Sequence, residues 1–179
     1  MEEIWSLPGG FKKFDKMHSY LKDLPEKLRK QFVVYDSLGG LLWNGGRLFL
    51  ESEYSLDDVV AMVKMYNDIG VGVHFTFSNL LLEEKHLDDA DCNSLLKECE
   101  DNMNGVIVGT DTLKDHVRNE YPEYKVILSV CRTSQTEVPF HKRALQEYDL
   151  ITANMDFGYQ LAKLRELDTD RVIMIPNSD

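Results

Sequence analysis

The sequence predicts an α/β fold, an incomplete (β/α) barrel of about six parallel strands with an N-terminal helical segment. Two observations predict this fold. Six short apolar stretches alternate with amphipathic helical patterns. A polar residue closely follows each stretch, at the position where a parallel barrel carries its functional groups. Right-handed crossovers between parallel strands then restrict the topology to a barrel or an open, doubly wound sheet.

The length of the chain predicts a single domain over residues 1–179, because 179 residues are too few for two comfortable cores. A complete barrel of eight strands takes ~250 residues, so we expect this barrel to be truncated. Its unpaired edges would offer free backbone groups to other strands. We therefore expect that the N-terminal segment covers the gap, that a second copy closes it, or that the chain is part of something longer.

Composition narrows the possible partners and the cellular setting. The chain has 20 basic and 31 acidic residues, a net charge of −11, and the acids are spread along it. Such a surface repels a phosphate backbone, which disfavours nucleic-acid binding. No apolar run approaches the ~20 residues that a membrane helix needs. Three cysteines without a Cys-x-x-Cys pair, after an acidic start without a leader, predict a cytoplasmic protein with reduced thiols.

The N-terminal segment, residues 1–30, is expected to be helical and to pack on the barrel. After a turn at Pro8, apolar residues recur with helical spacing, and Pro25 interrupts the pattern. We expect Trp5 and Pro8 to plug the bottom of the barrel rather than to form a lid, because terminal aromatic residues are more often packed than functional.

The six predicted strands are short and largely apolar. They are Gln31–Asp36, Val71–Phe77, Val106–Val108, Val126–Val130, Asp149–Ala153 and Arg171–Ile175. Between them we expect helices with ordinary N-terminal signals, such as the Ser55 cap followed by acids. The predicted helices run from Ser55 to Gly70, Leu80 to Asn102, Leu113 to Tyr121, Pro139 to Glu147 and Phe157 to Leu167.

Polar residues at the strand ends form a predicted ring around one opening. They are Asp36, Asn79, Asp111, Arg132, Asn154 and Asn177. The catalytic candidates are Asp36 and Asp111, as paired carboxylates that bind a cation or act as a base, and Arg132, as a fork for a carboxylate or phosphate. The alternative is that turns favour Asp and Asn anyway, that the two acids cap strand ends, and that Arg132 pairs with one of them.

A glycine-rich loop follows the first predicted strand and is the best candidate for close backbone approach to a polar ligand. The predicted ligand-binding residues are Gly39, Gly40, Trp43, Asn44, Arg47, Asn79, Asn154 and Asn177. The loop lacks the spacing of a dinucleotide fingerprint or a P-loop, so the cofactor stays unknown. A tight structural turn with Trp43 in the core is the alternative.

Other chemistries find little support. The five histidines show no paired spacing, so no metal site is predicted, and His74 is expected to be a satisfied core or lumen residue. The serines at strand ends lack a nucleophile elbow. Cys131 stands at a plausible catalytic place, although burial as a small hydrophobe is the favoured fate.

Three stretches carry a resemblance to a known family. The strand Val34-Tyr35-Asp36 runs into Ser37-Leu38-Gly39-Gly40, the strand His74-Phe75-Thr76-Phe77 ends at Ser78-Asn79, and Val106-Ile107-Val108 reaches Asp111 and later Tyr121-Pro122. This order resembles the amino-terminal part of the collagenase-like peptidase family, which includes RNA and ubiquinone hydroxylation proteins. The match spans roughly residues 32–175.

The resemblance implies a TIM-barrel-like fold and withholds the activity. Hydroxylating members of that family carry iron–sulfur cysteines after the sixth strand, which is where this sequence stops. The cysteines of this chain do not match those positions.

Two functional hypotheses remain from the sequence. In the first, an enzyme or enzyme-derived barrel binds a small polar or anionic ligand at the strand ends. In the second, a shortened barrel is a non-catalytic module that meets a protein partner, including a homo-oligomer formed through its open edge. The polar ring favours the first hypothesis, and the small size favours the second.

Overall fold

A computed structural model describes residues 4–47, 54–132, 137–154, 156 and 160–175. Seven parallel strands form one sheet whose spatial order is the order of the chain, and the sheet curls into a half-barrel. The strands are β1 Trp5–Pro8, β2 Phe32–Asp36, β3 Gly72–Phe77, β4 Gly105–Val108, β5 Lys125–Leu128, β6 Leu150–Thr152 and β7 Val172–Ile173. The predicted incomplete (β/α) barrel is confirmed.

Helices connect successive strands, as right-handed crossovers require. They are α1 Phe14–Lys22, α2 Glu26–Arg29, α3 Leu56–Asp68, α4 Ala90–Glu98, α5 Asp111–Glu120, α6 Val138–Glu147 and α7 Leu161–Leu164. Short 3₁₀ helices occupy Leu42–Arg47, Glu84–His86, Val130–Arg132 and Thr169–Arg171. Helix α3 begins at the predicted Ser55, whose side chain and that of Asp58 form a reciprocal capping box.

The two faces of the sheet differ in what they bury. On the outer face, alternate residues such as Val73, Phe75 and Phe77 pack beneath the helices in the main hydrophobic core. On the inner face of the same strand, His74 and Thr76 are buried polar residues. Strand β3 is buried along its whole length, so a sequence with apolar and polar residues in alternation is covered on both sides.

All six predicted strands are present, with ends shifted by one or two residues. The structure adds β1, where we expected Trp5 and Pro8 to plug the barrel. Trp5 instead pairs in parallel with Phe32, its backbone N–H donates to Gln31 at 2.7 Å, and its side chain is 55% exposed. A four-residue edge strand that ends in proline carries too little apolar alternation to be recognised.

The helical segment behind β1 is as predicted, with α1 and α2 separated at Pro25. The predicted helix over Leu80–Asn102 is shorter, because only Ala90–Glu98 is α-helical after a 3₁₀ turn at Glu84–His86. An Asp89 side chain caps its first turn and accepts from Cys92, which sets the later start.

Candidate functional site

Asp36 ends β2 and binds the loop that follows β1. Its Oδ2 accepts from the backbone N–H groups of Phe11 at 2.9 Å and Lys12 at 3.3 Å, and its Oδ1 accepts from Ser37 at 2.8 Å. Three backbone donors therefore converge on this carboxylate. In this arrangement Asp36 orders the entry into α1, which is the capping role that the sequence left open.

Asn79 follows β3 and binds the glycine-rich loop that follows β2. Its backbone N–H donates to the Trp43 carbonyl at 3.1 Å, and its Nδ2 donates to the Leu42 carbonyl at 2.9 Å. Gly45 has a φ of +67°, and a Cβ there would lie 2.9 Å from the Asn79 Cα. The second glycine pair thus permits the close backbone contact that holds this loop on β3.

Trp43 anchors the loop from the outer side. Its indole has no exposed surface, its Nε1 donates to the His86 carbonyl at 2.8 Å, and its ring meets Phe77 and His116 edge-on. Both the indole N–H and the ring of Trp43 therefore have partners within the protein. The loop is therefore fixed by a buried tryptophan, with Asn44 next to it.

Asn44 is 1% exposed and has one unused polar atom. Its Nδ2 donates to the Leu38 carbonyl, while its buried Oδ1 has no hydrogen-bond partner. Of the neighbouring candidates, Gly40 has a φ of +84° with open space around it, and Gly39 is half-buried. The Arg47 side chain lies outside the described residues. Among these loop candidates, Asn44 is the one with a buried unsatisfied acceptor.

Asp111 and Arg132 meet in a two-pronged ion pair between the loops after β4 and β5. The two nitrogen–oxygen distances are 2.7 and 3.0 Å, and the Tyr148 hydroxyl donates to Asp111 at 2.9 Å. The hydrogen bonds from Arg132 hold the pKa of Asp111 below its ordinary value, while partial burial opposes them. Asp36 shares no hydrogen bond or ion pair with Asp111 or Arg132 among the described residues, and each acid has its own set of partners.

The remaining predicted residues are less informative. The Asn154 Oδ1 accepts from the backbone N–H of Asp156 at 2.8 Å, as in an ordinary turn. Asn177 lies outside the described residues. No group of three or more His, Cys, Asp or Glu side chains in the described part of the chain is placed to hold a metal ion.

These contacts share a direction. Asp36 binds the loop before its own, Asn79 does the same, and Arg132 binds Asp111 of the preceding loop. Backbone bonds repeat the arrangement, since Gly109 donates to Phe77 and Ser129 donates to Val108. The predicted polar ring is thus a series of ties between neighbouring loops at the carboxyl ends of the strands.

The inner face holds two polar residues that sequence reasoning did not assign to the site. His74 is 3% exposed and its Nδ1 has no partner, and Thr76 is 8% exposed and its Oγ1 has none. Burial, aided by the charge of Lys125, lowers the pKa of His74 to about 4. His74 is therefore neutral at physiological pH.

Glycine makes room for the His74 ring. Gly105 pairs with His74 in the neighbouring strand, and a Cβ on Gly105 would lie 2.9 Å from His74 Cδ2 and 3.0 Å from Ile127 Cδ1. The signal that could have identified this site is the alternation in Gly72–Phe77. Its polar members fall on one face, whereas a strand covered on both sides is usually apolar throughout.

No family model matches the chain, and no curated protein matches it. No helix in the described ranges is long and apolar enough to cross a membrane. The function must therefore be argued from the site itself.

Proposed function

We propose that the protein binds a small polar ligand at the carboxyl end of the inner face, between the tops of β2 and β3. The observation that supports this proposal is a set of three buried polar atoms without hydrogen-bond partners: Asn44 Oδ1, His74 Nδ1 and Thr76 Oγ1. A buried polar atom that lacks a partner costs about 1–3 kcal/mol. Three such atoms on adjoining elements lower the stability of the ligand-free protein, and a ligand that forms hydrogen bonds with them would restore it.

The chemistry of the three atoms constrains what they recognise. Asn44 Oδ1 accepts only, so the ligand offers an N–H or O–H group there. A neutral imidazole and a hydroxyl can each donate or accept. The carboxyl ends of parallel strands are also where barrels of this architecture carry ligands. Asp36, Asn79 and the Asp111–Arg132 pair then serve this site by fixing the loops around it.

Nuclear magnetic resonance tests the proposal directly. Protein labelled at threonine methyl groups and histidine nitrogens is titrated with ethanol, acetamide, glycerol, acetate and phosphate. We expect a donor-bearing neutral compound to shift the Thr76 and His74 signals together and to saturate. Thr76→Val, which removes the hydroxyl and keeps the shape, weakens that binding by about tenfold, the worth of one hydrogen bond.

Thr112→Val on helix α5 is the matched control, because it makes the same chemical change away from the inner face. It leaves the titration unchanged. The proposal is wrong if none of the five compounds shifts both signals, or if the two threonine variants behave alike.

Assembly through the open edge is the second candidate function. Strand β1 has one neighbour among the described strands, and Ile4 and Trp5 beside its open side are 59% and 55% exposed. A short edge strand with exposed apolar side chains favours a protein partner or a second copy. Molar mass in solution, compared between the wild-type chain and Trp5→Lys, tests this. A monomer at all concentrations rules out the second copy.

We also propose a reducing, cytoplasmic setting. Cys92, Cys99 and Cys131 are all unpaired, and the first two are buried beneath α4. Burial raises the pKa of both buried thiols, which keeps them protonated and unreactive.

A further inference from the structure

Two exposed leucines follow β3, the strand that carries His74 and Thr76. Leu80 and Leu81, in the turn after β3, are 50% and 82% exposed, whereas Leu82 is buried and anchors the turn. The backbone N–H of Leu81 donates to Asn79 Oδ1 at 2.9 Å. We name Leu80 and Leu81 the leucine lip. The hydrogen bond from Leu81 to Asn79 helps to hold the lip in place.

The leucine lip and the polar atoms are held by the same residue. Asn79 supports Leu81 with its Oδ1 and holds the loop of Asn44 with its Nδ2 and backbone N–H. The Leu80 side chain in turn lies against the backbone after β4, since a Cβ on Gly109 would be 3.0 Å from Leu80 Cδ2. The lip therefore extends across the tops of β3 and β4, and it directly follows the strand that carries Thr76.

The charges beside the lip favour a ligand without negative charge. Glu83 and Glu84 follow directly and are exposed. Their nearest cation, Lys85, is 2.7 Å from Glu83 and leaves Glu84 uncompensated among the described ion pairs. An anion at the mouth would meet this negative charge, whereas an uncharged molecule would not.

We infer that the ligand is an uncharged amphiphile, whose donor group reaches the buried polar atoms and whose apolar part covers the leucine lip. This inference rests on the proposed function and names the chemical class for that site. An apolar chain on the lip removes exposed leucine surface from water, while the polar end satisfies Asn44 and Thr76. A purely polar ligand would leave the lip in water.

A series of primary alcohols tests the inference, because the hydroxyl stays constant while the apolar part grows. Dissociation constants of 1-butanol, 1-hexanol and 1-octanol are measured from the ring nitrogen signals of His74, which is present in every variant. A fully buried methylene is worth about fourfold in affinity, so contact with a half-open lip gives roughly twofold for each methylene. We expect 1-octanol to bind roughly sixteenfold more tightly than 1-butanol on this scale.

Three variants separate the possible outcomes. Leu81→Ser reduces the gain with chain length. Leu161→Ser, which changes another largely exposed leucine, on α7, leaves it intact. Thr76→Val weakens all three alcohols by the same factor. Equal affinity of the three alcohols in the wild type, with Thr76→Val still weakening them, refutes the inference and keeps the proposed function.

The remaining outcomes also decide. A chain-length gain that persists in Leu81→Ser, together with affinities that Thr76→Val leaves unchanged, shows nonspecific apolar binding and overturns both proposals. A change in molar mass on Leu81→Ser, in the absence of alcohol, identifies the lip as a protein contact and overturns the inference. Tighter binding of hexanoate than of 1-hexanol overturns the claim that the ligand is uncharged.

Discussion

Two buried asparagines at opposite ends of the sheet have different surroundings. Asn104, just before β4, is fully buried, and its Oδ1 accepts from Asn67 Nδ2 and the Val73 N–H, while its Nδ2 donates to Asn67 Oδ1 and the Cys99 carbonyl. Asn44, at the carboxyl end, leaves its Oδ1 without a partner. Asn104 is saturated, whereas Asn44 keeps an unused acceptor. The proposed function predicts this difference between a structural residue and one that meets a ligand.

The largest expected effect comes from removing the saturated asparagine. Asn104→Leu leaves Asn67 Oδ1, the Val73 N–H and the Cys99 carbonyl without these partners, so the free energy of unfolding falls by roughly 3 kcal/mol or more. Urea unfolding measures it. Asn102→Ala, an exposed asparagine two residues earlier, is the control and changes stability by less than about 0.5 kcal/mol. A loss below about 1 kcal/mol for Asn104→Leu would remove the contrast between the two ends.

The next effect concerns pH and His74. Because the folded pKa of about 4 lies below the ordinary 6.5, the unfolded state binds a proton first as the pH falls. This stabilising contribution is complete above pH 6.5 and is lost as the pH falls towards 4. Between about pH 7 and pH 4.5 its loss lowers the free energy of unfolding by roughly 2–3 kcal/mol.

Urea unfolding at those two pH values, in the wild-type chain and in His74→Gln, isolates this contribution. The His74→Gln variant lacks the histidine contribution, so its free energy of unfolding falls less than that of the wild type when the pH is lowered. Equal pH dependence in the two chains would show that His74 is solvated, and the inner face would then not be a dry binding surface.

Two glycines with similar φ sharpen the account of how Asn44 is positioned. Gly45 has a φ of +67° and lies against Asn79, whereas Gly40 has a φ of +84° and nothing near its missing Cβ. In both alanine variants the strained backbone conformation lowers the free energy of unfolding by about 1 kcal/mol. Gly45→Ala adds the clash, so we expect it to be destabilised by about 1–2 kcal/mol more than Gly40→Ala. Similar midpoints of thermal unfolding would argue against a tightly held loop.

The smallest expected effect is on Thr76, and it tests directly whether a buried polar atom of the inner face lacks a partner. Thr76→Val removes a buried hydroxyl that has no partner, so we expect stability to stay level or to rise by up to about 1 kcal/mol. Urea unfolding of the ligand-free chain measures it. A loss of more than about 1 kcal/mol would mean that the hydroxyl already has a partner, and Thr76 would then join Asn104 on the saturated side.

The fold could be predicted because parallel strands and the helices between them have patterns that are visible in short stretches of sequence. Phe32–Asp36 and Gly72–Phe77 are rich in β-branched and aromatic residues, and Ser55 with its following acids is a strong helix start. Strand β1 could not be predicted from the sequence, because its residues form a strand only through pairing with β2. Residues far apart in sequence supply that pairing.

The site was harder to predict for a similar reason. Glycine pairs pointed to Asn44, but whether a polar atom is partnered depends on contacts such as that between Asn44 and Leu38. Asp111 and Arg132 are three to four residues beyond their strands, which allows them to bind each other. Thr76 gave no signal apart from its place in an alternating strand. Satisfaction of hydrogen bonds is a tertiary property, and a single sequence does not encode it locally.

The ties between neighbouring loops have a consequence for redesign of the protein. Asp36, Asn79 and Arg132 each reach backward along the chain, whereas Trp43 and Leu80 contact the following loop, so a rebuilt loop disturbs both of its neighbours. Adjacent loops are therefore best exchanged together, so that the contacts between them move with them.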